Sequence, residues 1–156
     1  MENPHPVLGT LTRPKNNAEG FETIILFNGS KIEVQIEPDD QSDSDAIEFT
    51  AQVVSELARI ESECRKILVR DLLPTYNGGW NEYDEVQEDG TCKTVKNPKL
   101  NQSEFDQKFT LKSLSTTGIE CIDVWFDDSN LFWGHGVFVS CLDGLDLSEA
   151  DAQLFG

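Results

Sequence analysis

Polar and apolar residues alternate without a fault over Lys31-Ile32-Glu33-Val34-Gln35-Ile36-Glu37. Ile32, Val34 and Ile36 therefore face a core and the intervening residues face water, which predicts a half-buried strand. The preceding run, Phe21 to Phe27 (FETIILF), is β-branched and apolar, and Asn28-Gly29 between the two is the strongest short hairpin signal. Val7 to Thr12 (VLGTLT) alternates weakly and predicts a short first strand, separated from the hairpin by the turn-rich stretch Arg13 to Gly20.

The period then changes. Ile47, Val54, Leu57, Ile60, Cys64, Ile67, Leu68 and Leu72 recur at steps of three and four, which predicts one long helix from about Ser44 to Leu73. Ser42 or Ser44 caps it, Ser42 with Asp45 resembling a capping box; Asp43, Asp45 and Glu48 suit the positive end of its dipole. Arg65, Lys66 and Arg70 suit the other end, and Pro74 stops it. Thr75 to Gln102 is polar and too long for an ordinary connection, so it reads as an ordered insertion, a mobile flap or both. Ser103 caps a short helical turn through Phe109.

Strands return in the last third. Thr110 to Ser115, Ile119 to Phe126 and Leu131 to Cys141 read as strands, with a turn at Asp127-Asp128-Ser129-Asn130. Ser148 to Phe155 (SEADAQLF) reads as a closing helical turn, and Trp125 and Trp133 as core. The predicted order is β-β-β-α-β-β-β: a single α+β domain over 1–156, with an antiparallel sheet of about six strands packed on one long helix and a polar insertion at about 75–102.

Charge narrows the function. The 156 residues carry 29 Asp+Glu against 12 Lys+Arg, a net charge of −17. Such a chain repels nucleic acid and an anionic membrane surface, and suits a basic protein partner or simply a very soluble protein. The N-terminus has no basic and apolar leader pattern, and no apolar run approaches the roughly 20 residues of a membrane helix. Cys64, Cys92, Cys121 and Cys141 show no metal or disulfide spacing, so the expected compartment is a reducing cytoplasm.

Candidate chemistry is sparse. His5 lies in a terminus expected to be floppy. His135, between Gly134 and Gly136, gains chemistry only if Asp123 or Asp127 orients it and Cys121 or Cys141 serves as nucleophile. The aspartates 39, 40, 43 and 45 are out of register for a calcium loop, and a single interior histidine does not make a zinc site, so no cofactor or metal is expected. Phosphate-cradling and serine-nucleophile motifs are absent.

The acidic residues cluster. Asp39, Asp40 and Asp43 precede the helix; Asp84, Glu85, Glu88 and Asp89 fall in the insertion beside Trp80 and Tyr83; Asp127 and Asp128 fall in the turn before the last strand. No Lys or Arg follows Lys112. Acidic loops speed encounter with a basic protein and aromatic anchors supply contact energy, so these residues are the expected partner-binding set.

Phe132-Trp133-Gly134-His135, with Trp125-Phe126-Asp127-Asp128 before it and the Gly144…Ala150…Gly156 tail after it, resembles a family of uncharacterised bacterial domains. In that family a W-[FY]-x-D-G…LFWGH-x-[IV]-x-V hairpin ends a small α+β domain. The Leu8-Gly9-Thr10-Leu11 segment and the acidic-started helix fit it too. Its members are similar to immunity proteins of polymorphic toxin and secreted-effector systems. The resemblance implies a cytoplasmic protein that binds a cognate toxin domain and occludes a basic active-site cleft. The alternatives from the residues are a small hydrolase using His135 with a neighbouring Asp, or a general interaction module. The chain departs in having Ser129 where a Gly often closes the turn, and in its long acidic insertion.

Overall fold

A computed structural model describes residues 4–16 and 19–156; Met1 to Asn3 of the leader reading, and Asn17 and Ala18 of the turn-rich stretch, lie outside them. Strands β1 (Phe21–Phe27) and β2 (Ser30–Glu37) form the expected hairpin. Its turn holds Asn28 at φ 50° and Gly29 at φ 80°, the left-handed pair that an Asn-Gly turn supplies.

The long helical stripe is two helices, α1 (Asp43–Ser55) and α2 (Leu57–Thr75). Ser42 caps α1, its side chain accepting the Asp45 N–H. Glu56, at φ −106° and ψ 17°, breaks the chain between them. The apolar steps of three and four run through Glu56 in phase, so the periodicity does not report the break. Pro74 does not stop α2 either. It lies inside the last turn of α2, where it gives no N–H to the Arg70 carbonyl and crowds it, and the chain nevertheless winds on into a π-helical turn at Tyr76–Trp80.

The insertion is ordered. It folds into its own hairpin, β3 (Glu82–Val86) with β4 (Cys92–Lys96). Asn77 exchanges two hydrogen bonds with the backbone of Leu100, and Asn81, 2% exposed, donates to the Asn97 carbonyl, so its two ends are tied together. A short helix α3 (Gln102–Asp106) follows, capped by Asn101 and Glu104 in a reciprocal box rather than by Ser103. Strands β5 (Thr110–Thr117), β6 (Cys121–Asp127), β7 (Gly136–Cys141) and β8 (Asp151–Phe155) complete the chain.

The fold is α+β. Its six-stranded sheet runs β1-β2-β5-β6-β7-β8, and β3-β4 form a second, small sheet. The large sheet is mixed, not purely antiparallel: β2 and β5 are parallel because helices carry the chain across between them. The membership also differs from expectation. Val7 to Thr12 contributes isolated bridges, Gly9 with His5 and Thr12 with Glu22, and no strand, its leucines Leu8 and Leu11 instead plugging the core at 1% and 3% exposure. The closing segment is strand β8, not a helical turn, and Leu131 to Gly134 extends the turn before β7.

One sheet face meets the helices. Val34, Leu114, Ile122, Val124, Val137 and Val139 are buried there, and the hydroxyls of Thr50 in α1 and Thr116 in β5 meet at 2.7 Å. The opposite face stays open to water, with Glu22, Ile24 and Leu26 of β1 and Gln153 and Phe155 of β8 exposed.

Candidate functional site

The acidic residues singled out in the sequence do not converge. Asp39 and Asp40 lie after β2, Asp39 in the left-handed conformation of a turn at φ 59°. Asp43 opens α1, 3.4 Å from the Arg13 guanidinium. Asp127 ends β6. Burial, and after it the charges of Asp123, Glu120 and Asp39, push up the Cys121 thiol at the start of that strand. Asp39 and Asp127 thus mark opposite ends of β6, roughly 20 Å apart at strand rise.

The hairpin acids are partly answered within the hairpin. Glu82 pairs with Lys96 at 3.1 Å, Glu85 lies opposite Lys93, and Asp84 accepts the Thr94 hydroxyl. Asp89 caps the β3–β4 turn, and the Thr91 hydroxyl and N–H hold its carboxyl below the usual range. Glu88 is exposed. Asp128 is 7% exposed and accepts the backbone N–H groups of Asn130 and Phe132, so both carboxylate oxygens build the turn before β7.

Trp80 and Tyr83 pack inward. The Trp80 ring lies 5.5 Å from Phe132 and 5.1 Å from His135, and Tyr83 lies 4.2 Å from Trp133. The Trp133 indole N–H donates to the Trp80 carbonyl. Trp133 is held at φ 55°, an uncommon backbone for a bulky residue, and these contacts fix it there. The Phe132-Trp133-Gly134-His135 turn is therefore the clamp that holds the insertion to the sheet. Ser129 sits at φ 54°, in the left-handed region, and its hydroxyl donates to the Lys108 carbonyl.

His135 Nδ1 donates to the Phe132 carbonyl at 2.8 Å, and no hydrogen bond joins His135 to Asp123 or Asp127. Burial pushes the Cys64 thiol up to about 12 and also raises Cys141, which donates to the carbonyls of Gly144 and Asp146. A nucleophilic cysteine needs the opposite shift. The main clefts lie elsewhere. One of about 810 Å³ runs between the N-terminal segment and α1, and one of about 820 Å³ between α2 and α3. His5 lines the first, its Nδ1 accepting from the N–H groups of Val7 and Leu8 and its Nε2 3.0 Å from Glu48, so it is anchored rather than loose. Among the described residues no group of three His, Cys, Asp or Glu is placed to hold a metal ion, and no helix is long and apolar enough to cross a membrane.

The open sheet face is what sequence reasoning missed. Trp125, read as core, lies on this face instead. Its indole stacks on Phe138 with centroids 4.4 Å apart and planes at 24°, and meets Phe155 edge-on at 6.1 Å. Gly136 makes room for it, since a Cβ there would stand 2.9 Å from Trp125 Cζ3. Pairing aligns Ile24, Glu33, Ser113, Trp125, Phe138 and Gln153 in one row across the sheet. Glu22, Gln35, Ser115, Asp123, Ser140 and Asp151 form the adjacent row. The missed signal was a period of two: Asp123, Trp125 and Asp127 share one side of β6 and Ile122, Val124 and Phe126 the other.

A family model described as an uncharacterised protein conserved in bacteria (DUF2262) matches residues 5–151. No curated protein and no solved structure matches the chain.

Proposed function

The chain belongs to that uncharacterised family conserved in bacteria, and from this premise we propose that it is an immunity protein, which binds a cognate secreted toxin domain in the cytoplasm and covers its basic active-site cleft. The observation that carries this reading is the distribution of charge. Residues 113–156 contain Glu120, Asp123, Asp127, Asp128, Asp143, Asp146, Glu149 and Asp151 and no Lys or Arg. They form β6, β7 and β8, half of the large sheet. A single-sign surface on a rigid sheet raises the encounter rate with a cationic partner and can take the electrostatic place of an anionic substrate. The exposed acids Asp39, Asp40, Asp43, Asp84, Glu85, Glu88, Asp89 and Asp127 add to that field from the sheet ends and the hairpin. Asp128 contributes by shaping the turn, and Trp80 and Tyr83 by fixing the hairpin.

The test is to clone the genes that flank this one and to co-produce the chain with any product of theirs that arrests growth. Growth is restored, and the purified pair forms a complex whose association slows as salt rises, because surface charges are screened within about 8 Å at physiological ionic strength. No rescue and no complex at low salt ends the reading.

A further inference from the structure

We propose that the partner docks on the open face of the six-stranded sheet, with one of its arginines stacked on the Trp125–Phe138 platform between Asp123 and Asp127. The proposal rests on the reading above only in making the partner a basic protein; the face and the recognised group are new.

Three observations support it. First, the face carries apolar side chains in water: Ile24 is 61% exposed, Leu26 73% and Phe155 66%. Ile24 and Leu26 lie on β1 at the far edge, beyond Glu33 and Ser113, so the apolar surface at the platform is Trp125, Phe138 and Phe155, and exposed apolar side chains rimmed by polar groups mark an interaction surface. Second, the platform is built rather than incidental. The indole lies over Gly136, the one β7 position where a side chain is missing beneath it, and is flanked by Phe138 and Phe155. Third, the rim is acidic at the place where the aromatics are. Asp123 and Asp127 stand two residues to either side of Trp125 on the same side of β6, about 7 Å away along the strand. Asp151 lies beyond Ser140 in the Asp123 row, and Glu33 shares the Trp125 row. The face has two lysines, Lys31 on β2 and Lys112 at the β5 bulge.

Charge complementarity selects the occupant. A second copy would set acidic rim against acidic rim, and nucleic acid or an anionic membrane would be repelled. An indole face flanked by carboxylates suits a cation, and a planar guanidinium both stacks and bonds carboxylate oxygens side by side, whereas an ammonium does neither as well.

Decaarginine and decalysine serve as probes, titrated into the labelled full chain at physiological salt and followed by amide and indole N–H resonances. The proposal expects the Trp125 indole and the amides of Gly136, Phe138 and Gln153 to move, and decaarginine to bind at least about three-fold more tightly than decalysine. Trp125→Ala removes that preference; Phe155→Ser, at an exposed position of the edge strand, reduces it and guards against a folding defect in the first variant. Replacing Asp84, Glu85, Glu88 and Asp89 by Ser weakens both peptides alike and leaves their ratio unchanged. Equal affinity for the two peptides, shifts confined to the hairpin, or a dimer that buries this face overturns the proposal. The immunity reading fails separately: arginine preference at Trp125 without rescue from a toxin keeps the face and removes the function. Rescue that is unaffected by both Trp125→Ala and Phe155→Ser keeps the function and removes the face.

Discussion

The two faces of the large sheet come from the same strands and solve opposite problems. On the covered face, hydrogen-bonding groups are used internally: among the described residues no buried side-chain nitrogen or oxygen lacks a partner. Three of the four arginines are used on the helical side. Arg59 donates to the Leu145 carbonyl, Arg65 to those of Asp106 and Phe109, and Arg70 to that of Ala150, so α2 staples the loops to itself. The open face keeps apolar and acidic side chains in water. The difference teaches that the net charge of −17 is not a uniform coat. The arginines are drawn to the helical side, leaving the sheet side acidic around its aromatics.

The sharpest way to break this contrast is to truncate one aromatic on each face. Phe132 is fully buried among Tyr76, Trp80 and Phe105. Phe132→Ala is expected to cost about 3–5 kcal/mol in urea unfolding through transfer and cavity terms. Trp125→Ala, on the open face, should cost about 1 kcal/mol for the lost stacking. Equal costs would mean that Trp125 is a core residue in all but position. Next in size is Asp128→Ala, which strands the Asn130 and Phe132 N–H groups at a 7% exposed site. About 2 kcal/mol is expected, with Asp127→Ala beside it nearly silent.

Gly136→Ala tests how firmly the platform is built. A methyl 2.9 Å from Trp125 Cζ3 forces the indole off Phe138, at about 1–2 kcal/mol. The same change made on Trp125→Ala should cost little, and that non-additivity, read in a double-mutant cycle, is the measurement. An equal cost in both backgrounds would place the strain in the β7 backbone instead.

Legibility followed how local the signal was. The β1–β2 hairpin was readable because alternation and Asn28-Gly29 both lie within the segment. The Glu56 break was not, because α1 and α2 keep one apolar phase across it. Strand β8 was hidden by helix-favouring Ala, Glu and Leu; its pairing with β7 overrode propensity, although Ala152 and Leu154 already alternate with Asp151, Gln153 and Phe155. The parallel β2–β5 pairing joins segments on either side of the helices and insertion, which no window of hydrophobicity spans. For the candidate site, the acidic runs were visible but not their separation by the length of β6, nor the lysines of β4 facing the β3 acids. Trp125 was misread because a large apolar residue on the wet side of a strand breaks the pattern that marks a core.

The smallest expected effect concerns the edge where the two faces meet. Arg70 and Asp71 form a bidentate pair at 2.7 and 2.9 Å, and each also holds β8 by its backbone: Arg70 bonds the Ala150 carbonyl and Asp71 accepts the Ala152 N–H. This clip docks the free edge strand on α2. The Arg70 hydrogen bonds, helped by that N–H, hold the Asp71 carboxyl below its ordinary value. A depressed carboxyl contributes stability that is present above the unfolded value of about 3.9 and lost as pH falls through the folded one. Asp71 is one-quarter exposed, so solvent screens the pair and about 1 kcal/mol is expected from Asp71→Asn at neutral pH. Amide exchange should quicken in β8 and not in β2, and the gap between wild type and variant should close as pH drops below about 4. A gap that persists in acid would assign the clip to the neutral hydrogen bond with Ala152 rather than to the charge.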